Sequence, residues 1–442
     1  MGAGRVAKHY ERERDPTQRL RMAVFLLHFY DLMGEFAKAM RVLETYAPLL
    51  SAPAVAPLTR SVGWMRRAHH FAMTGDTVAS LFASDQAVRI CQENGLPDSY
   101  LGLLAVSVAH TNLVAGRIAE AEASLERARS IVSSAQRMIT VYFHWVEFWC
   151  AVLKKDAAKL RILWDAFEQL PMIGVPFNTA YNQPVIHYLV ESGQVNMARA
   201  RIDRWRPMVS GMRSPYVEFN MDLMEASVAT GEGRTEHAIR LLQRAFRSGA
   251  ERGFENTLAW VPEMMAPLCA LALEHRIEVD YVRHLIRARG LGSPDPTWEN
   301  WPWPVKIHAL GRFAVSVDEK PIIFRGRPQH RTLELLKAIV AFGADSVSVA
   351  QVTNALWPDS EGDAAHRAFA VALHRLRKLL GDERAIRLSD GVLSIDRSIC
   401  WIDVLALDER MVAIENMGQR DMPEQAVRLL FDLYRGHLLG DD

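Results

Sequence analysis

The chain has 442 residues, of which 49% are hydrophobic and 24% charged, values typical of a soluble globular protein with about two to four domains. Its 52 Lys and Arg balance its 52 Asp and Glu, so the molecule as a whole has no net field that draws it to nucleic acid or to an anionic membrane. Any such binding must come from a local patch, and no apolar run approaches the roughly 18 residues needed to span a bilayer.

The cysteines and the N-terminal residues limit the class of protein further. Cys91, Cys150, Cys269 and Cys400 are far apart and match no metal or redox spacing, so we expect them to be reduced packing residues. The first residues, 1–19, carry charges but are not followed by the apolar segment of a signal peptide. We therefore expect a cytoplasmic protein.

Residues 17–289 have a helical pattern almost throughout, and within them one phrase recurs: an apolar helix, a turn residue, four further residues, a small residue and a second helix. The turn residues are Gly34, Gly75, Gly116, Lys155, Gly193 and Gly233, with spacings of 41, 41, 39, 38 and 40 residues. The small residues are Ala39, Ser80, Ala121, Ala198 and Ala238, and the copies at Gly75 and Lys155 are the weaker ones. Residues 268–292 resemble a seventh, closing pair of helices.

A period near 40 residues with two helices per period is typical of an α-solenoid. Glycine lets the chain leave the first helix in a left-handed conformation, and the small residue lets the second helix pack closely. The pattern resembles tetratricopeptide (TPR) repeats, in particular the repeat region of large signal-transducing NTPase regulators. We predict a mainly α fold, an α-solenoid of about seven TPR-like helix pairs over residues 1–289, whose concave surface binds a protein or small-molecule effector.

A linker is predicted at residues 290–304, where Gly, Pro and Trp break the helical pattern. Beyond it the hydrophobic period falls to two in residues 305–324, three helical segments follow, and Asp390-Gly391 is a strong signal for a two-residue hairpin. Strands, three helices and a closing hairpin predict a small α+β winged helix-turn-helix domain at residues 305–400. A short helical segment is expected at residues 401–442.

Short motifs in this part of the chain resemble known families. The phrase "HRLRKLLG" at residues 374–381 is similar to the recognition helix of OmpR/PhoB-like response-regulator output domains. "LGRFAV" at 310–315 and "ALWP" at 355–358 are similar to the SARP branch of that family. Residues 400–411 and 426–442 resemble the start of the bacterial transcriptional activation domain that follows in that branch. The resemblance implies a bacterial DNA-binding transcription regulator.

The third helical segment, residues 366–381, has two distinct faces. Phe369, Leu373, Leu376 and Leu380 form an apolar stripe that should cover the core. The opposite side carries the candidate DNA-binding residues Arg367, Ala370, Val371, His374, Arg375 and Lys378. A helix that reads a DNA groove needs small or apolar residues near the base edges, flanked by long cations.

The resemblance also implies a role for individual residues. Arg367, Val371 and His374 would lie nearest the bases, and Arg375 and Lys378 would meet phosphates. Arg387 and Ser389 would reach DNA from the hairpin, and Arg331 would clamp a phosphate from the first helix. By the same resemblance, the loop at residues 357–363 would touch RNA polymerase. A dimer or tandem arrangement is expected because a single domain reads only a few base pairs.

Three functions remain open at the level of sequence. The chain has no phosphate-binding loop, no HExxH, GxSxG or CxxC motif, and no metal-like spacing among its 15 His, so we expect neither an enzyme nor a cofactor. The first function is operator binding controlled by the repeats. The alternatives are an adaptor whose winged helix docks protein, since residues 301–400 have only 14 basic against 11 acidic residues, and the regulatory half of a split NTPase regulator.

Overall fold

The computed structural model describes the backbone of residues 6, 9–132, 137–168, 175–323, 327–360, 362–417 and 424–440. The chain divides into two units, Met1–Leu291 and Gly292–Asp442. The first is a helical array and the second combines helices with two small sheets, so the predicted fold class is confirmed.

From Pro16 on, the described part of the first unit contains fourteen α-helices. They are α1 (Pro16–Leu32), α2 (Phe36–Tyr46), α3 (Pro57–Thr74), α4 (Thr77–Asn94), α5 (Asp98–Val114), α6 (Ile118–Arg129), α7 (Arg137–Leu153), α8 (Ala157–Glu168), α9 (Val175–Glu191), α10 (Val195–Met212), α11 (Pro215–Gly231), α12 (Thr235–Arg252), α13 (Pro262–Glu274) and α14 (Val279–Ala288). Consecutive helices pack as pairs, which gives the seven pairs that the sequence predicts.

All six predicted turn residues adopt the left-handed backbone conformation. Five are glycines with φ between 69° and 85°, and Lys155 takes the same conformation at φ 55°. The small residues that follow four of these glycines, Ala39, Ala121, Ala198 and Ala238, are fully buried. The array therefore forms because the chain reverses at a left-handed residue, a glycine in five of these six turns, and a small side chain allows close contact of the second helix in most repeats.

The second unit contains five helices and seven strands in its described residues. They are β1 (Val305–His308), β2 (Ala314–Val317), β3 (Lys320–Pro321), α15 (Arg327–Ala341), β4 (Val347–Ser348), α16 (Val349–Leu356), α17 (Gly362–Leu380), β5 (Ile386–Ser389), β6 (Val392–Ile395), β7 (Cys400–Ile402), α18 (Asp403–Met417) and α19 (Glu424–Leu433). The first ten elements follow the predicted order of strands, three helices and a closing hairpin.

Two sheets flank the three central helices. One has the strand order β3-β2-β1-β7, with β1 antiparallel to β2 and parallel to β7. The other has the order β4-β6-β5 and forms the wing, whose turn residues Asp390 and Gly391 have φ of 51° and 75°. Both sheets share one core with α15, α16 and α17. The boundary expected between residues 400 and 401 falls inside β7, because that strand extends the first sheet.

The chain after β7 is also tied to the first sheet. The buried carboxylate of Asp403 accepts hydrogen bonds from the backbone N–H groups of Ala309 and Leu310, at 2.8 and 3.0 Å. Farther on, the backbone of Leu439 donates to Ala309, and Leu310 forms an antiparallel bridge with Leu438. Residues 401–440 are therefore part of the second unit rather than an appendage.

The predicted linker packs within the second unit after Leu291. Trp301 and Trp303 are buried, and the indole N–H of Trp303 donates to the Trp298 carbonyl at 2.9 Å. The four cysteines are free and buried, which confirms their predicted role in packing. Among the helices that the structure describes, none is both long and apolar enough to span a membrane.

Candidate nucleic-acid interface and the repeat interior

The apolar stripe of α17 anchors the helix to the core. Phe369, Leu373, Leu376 and Leu380 are at most 4% exposed, as the sequence predicts. They pack in one cluster with residues of α15, of α16 and of both sheets. Burying four large apolar side chains fixes the rotation of the helix, since each contributes about 1.5–3 kcal/mol. The opposite side of α17 is thereby held toward solvent.

The predicted DNA-binding residues of α17 all lie on this solvent side. All six predicted residues are exposed: Arg367, Ala370, Val371, His374, Arg375 and Lys378. They recur at helical spacing, so they form one row along the helix. Val371, near the middle of the row, is 50% exposed. The row thus combines three long cations with small and apolar surface.

The cations of this row differ from other arginines of the second unit. In the described part of the chain, no carboxylate lies within the 4.0 Å of an ion pair from Arg367, Arg375 or Lys378. Six other arginines of the unit are paired with carboxylates: Arg331 with Glu334, Arg384 with Asp382, Arg387 with Asp396, Arg397 with Glu409, Arg410 with Asp295 and Arg435 with Glu299. Three cations without a carboxylate partner therefore lie together on one face of α17.

Arg377 has a structural role that the sequence does not reveal. It lies on α17 beside the row, but its Nε donates to the Ile386 carbonyl at 2.9 Å, at the start of the wing. This hydrogen bond joins α17 to strand β5. The Arg377 guanidinium is therefore used to hold the helix against the wing. Of the four Lys and Arg residues of the helix, three lie in the exposed row.

The candidate residues outside α17 are exposed, and each contacts a carboxylate of the protein. Arg387, on the wing, is paired with Asp396. Burial alone would raise the pKa of Asp396, but hydrogen bonds from Ser398 and the charge of Arg387 lower it, so the pair is ionised at neutral pH. Ser389 donates to Asp390 at 3.1 Å, and Arg331 donates to Glu334 at 2.8 Å. DNA contact by Arg387 or Arg331 would have to compete with these carboxylates.

The wing carries apolar surface that sequence reasoning did not single out. Leu388 and Val392 are 42% and 41% exposed on strands β5 and β6. Ile386 and Leu393 are buried in the core, whereas Leu388 is exposed although it lies on the same face of β5 as Ile386. The alternation of apolar and polar residues predicts the two strands. It does not predict which apolar residues of their inner face are covered by the core.

The interior of the repeat array is filled by the chain's own residues. Residues 254–261, between α12 and α13, run along the first helices of several repeats. The Asn256 side chain donates to the Ala72 carbonyl of α3 at 2.6 Å, and the Trp149 indole of α7 donates to the Trp260 carbonyl at 3.1 Å. We call this segment the strap. It covers part of the concave surface on which the sequence predicts effector binding.

The strap also closes the array on itself. Phe254 contacts Gly34 and the Phe36 ring, 5.5 Å between centroids, although these residues belong to the sixth and first repeats. Ser214 at the start of α11 donates to the Leu32 carbonyl at 2.6 Å. The first repeat thus packs against the sixth. A protein effector cannot occupy this interior without displacing the strap.

No cluster of His, Cys, Asp and Glu suited to a metal ion occurs among the described residues.

No protein family model matches this chain, and no curated protein matches it. Among solved structures, the chain is similar to that described as the apo form of RapI, with a TM-score of 0.37 and 8% identity. The similarity covers 94% of this chain and 97% of that one. A likeness this distant says nothing about function.

Proposed function

We propose that this protein is a cytoplasmic, non-enzymatic transcription regulator. Its winged helix-turn-helix unit binds double-stranded DNA through α17, and its repeat array takes the effector that controls this binding. The observation that carries the proposal is the exposed row on α17, where Arg367, Arg375 and Lys378 have no carboxylate partner while the apolar stripe behind them is fixed in the core.

The physical fit to DNA rests on three properties of the row. A single α-helix fits the major groove, and its exposed side must present cations to the phosphates that line the groove. Ala370 and Val371 leave room for close approach and offer apolar contact to a thymine methyl group. His374, one turn beyond Val371, adds a hydrogen-bonding group at the same depth.

Motif resemblance agrees with this assignment. The phrase similar to the OmpR/PhoB-like recognition helix is the stretch that folds as the exposed α17. Strands β1–β3 ahead of the helices stand where that family has its N-terminal sheet. In that reading, α18 and α19 are the start of an activation domain, the loop before α17 faces RNA polymerase, and the protein acts as a dimer.

The test is DNA binding by the full chain and by the double variant Arg367→Ala/Arg375→Ala. Duplexes enriched from genomic fragments by the wild type serve as probes, and fluorescence anisotropy measures the dissociation constant at several salt concentrations. A base-contacting arginine is worth on the order of 1–3 kcal/mol, whereas loss of a phosphate contact reduces the salt slope by about one. We expect the double variant to bind at least roughly tenfold more weakly.

The matched control is Lys320→Ala, which removes one exposed positive charge from strand β3, in the other sheet. This variant should bind the selected duplexes like the wild type. Failure of the wild type to enrich any fragment, or equal binding by the double variant, would exclude the proposal.

One observation favours a second function, an adaptor in which the winged helix docks protein. Val371, Leu388 and Val392 place exposed apolar side chains on α17 and on the wing. Apolar docking responds little to salt, whereas phosphate contacts give a steep loss of affinity as salt rises. The salt series therefore separates the two functions in a single experiment.

A further inference from the structure

A histidine recurs at one position of the repeats. Six residues before the turn residue, the first helices of four repeats carry His28, His69, His110 and His187. The fourth and sixth repeats have Trp149 and Ser227 there. His28, His69 and His110 belong to consecutive repeats, on α1, α3 and α5. Equivalent positions of consecutive repeats stack along the array, so these three side chains form a row inside it.

The middle of this row is closed by hydrogen bonds and ring contacts. The ring centroids of His69 and His110 are 5.4 Å apart. The Tyr142 hydroxyl, from α7, lies 2.8 Å from Nδ1 of His110 and 3.4 Å from Nε2 of His69. The first helices of three consecutive repeats, α3, α5 and α7, thus contribute to a single polar cluster, and Leu258 of the strap lies close to His110.

Arg66 brings a positive charge into this cluster. It lies on α3 one turn before His69, and its Nε is buried without a hydrogen-bond partner. Among described residues, no carboxylate lies within 4.0 Å of its guanidinium. Asp31, whose charge it feels, is instead bonded to His70 at 2.6 Å. A guanidinium enclosed in protein without a carboxylate partner is costly, because the protein replaces water without neutralising the charge.

The neighbours of Arg66 within the cluster are uncharged at pH 7. Burial and the charge of Arg66 lower the pKa of His28 to about 3. Burial also lowers the pKa of His110, to about 4, although its bond to Leu258 acts in the opposite direction. Both histidines are therefore neutral at pH 7, and Arg66 is the charged side chain of the cluster. Tyr142 adds a hydroxyl.

The side chains of the cluster are not completely buried. Arg66, His28, His69, His110 and Tyr142 all retain partial solvent exposure although they lie inside the array. A guanidinium that presents paired N–H donors, surrounded by neutral imidazoles and a phenol, matches the acceptor oxygens of a carboxylate or phosphate group.

We propose that Arg66, with His28, His69, His110 and Tyr142, binds a small oxyanion inside the first four repeats, through a carboxylate or phosphate group of the ligand. Binding does not depend on DNA; only the role of this ligand as the effector rests on the proposed function. Because the strap crosses the interior of the array, the site suits a small molecule and not a protein chain.

The test is the thermal stability of the full chain in chloride alone and with added inorganic phosphate or acetate, at matched ionic strength. Arg66→Gln removes the charge and keeps much of the side chain. In chloride alone it should unfold at the wild-type temperature or higher, because an unpaired buried charge is lost. With phosphate or acetate, the wild type should be stabilised in a saturable manner and the variant should not, so the order of stabilities reverses.

The control is Arg67→Gln on the same helix, where the guanidinium lies over the Trp64 and Phe71 rings, 5.4 Å from each centroid. It should keep the wild-type response to the anions. Isothermal titration calorimetry on Tyr142→Phe, which removes one hydroxyl, should show several-fold weaker binding. The stronger of the two anion responses identifies the group on the ligand.

Three results would overturn the proposal: no saturable response of the wild type to either anion, an unchanged response in Arg66→Gln, or loss of stability by Arg66→Gln in chloride, which would make Arg66 a structural residue. Should Arg66→Gln not fold, unchanged anion binding by Tyr142→Phe would be decisive against the site. All these measurements are made without DNA, so their failure is separate from failure of the DNA-binding proposal.

Discussion

Lys155 holds a backbone conformation that glycine holds at the five equivalent turns of the array. Its φ of 55° lies in the left-handed region, which costs a residue with a Cβ atom roughly 1–2 kcal/mol. The side chain gives little in return, because it is 74% exposed and its Nζ lies 3.5 Å from a Glu263 carboxylate oxygen. The fourth repeat therefore carries local strain that the others avoid.

Lys155→Gly should remove this strain. We expect the free energy of unfolding to rise by about 1 kcal/mol, since the gain in backbone energy exceeds the extra freedom of glycine in the unfolded chain. Urea unfolding of the wild type and the variant measures the change. Lys154→Gly, one residue earlier and outside the left-handed region, should instead destabilise the protein. A drop in stability for Lys155→Gly would show that the fourth turn has no strain to relieve.

At the scale of elements, local patterns predict helices and strands well. Most repeats can be recognised by a turn residue and a small residue a few positions apart. Both residues act within one helix pair. The apolar stripe of α17 is predictable for the same reason, since Phe369, Leu373, Leu376 and Leu380 follow helical spacing whatever they pack against. Features that depend on a single element can be read from its own residues.

The strap and the structural role of Arg377 escape such reading. Residues 254–261 show no helical or strand period, and their partners lie far away in sequence: Asn256 bonds to Ala72, 184 positions earlier. Arg377 is indistinguishable from the other cations of its helix until β5 supplies the Ile386 carbonyl. Hydrogen bonds between distant segments leave no periodic signal, so the sequence predicts the row on α17 but not which of its charges are free.

The strap is the element whose removal we expect to affect the repeats most. Asn256 is 1% exposed, and its amide supplies a hydrogen bond to the end of α3. Asn256→Ala should cost about 1–3 kcal/mol, the usual penalty for losing a buried hydrogen bond. Hydrogen exchange should accelerate in residues 70–76 and 254–261, because those segments hold each other.

The comparison variant for the strap is Asn94→Ala. Asn94 is exposed, and its amide bonds to Ile90 within the same helix, so its loss should change stability by less than about 0.5 kcal/mol. If Asn256→Ala leaves exchange at the end of α3 unchanged, the strap is a passive connection rather than the closure of the array.

At the scale of the whole molecule, the second unit depends on residues beyond its three central helices and the hairpin β5–β6. Strand β7 pairs with β1 through residue Ile402, and Asp403 satisfies two backbone N–H groups after β1. Gly311, with φ 75°, lies so close to the Arg435 carbonyl that a Cβ atom would approach its oxygen to 2.7 Å. Strand β7 thus forms one edge of the sheet, and the chain near Arg435 and Leu438 packs against the residues that follow β1.

Two fragments test where this unit ends. Residues 292–442 should unfold in a single sharp thermal transition, because all strands and their buried hydrogen bonds are retained. Residues 305–400 keep the three helices and the wing but lose most of β7, the Asp403 carboxylate and the tail that pairs with Leu310. Each buried backbone N–H left unpaired costs about 1–3 kcal/mol, so this shorter fragment should lack a cooperative transition. If residues 305–400 are as stable as residues 292–442, the three helices and the wing are sufficient for a stable fold. Residues 401–440 would then contribute little to its stability.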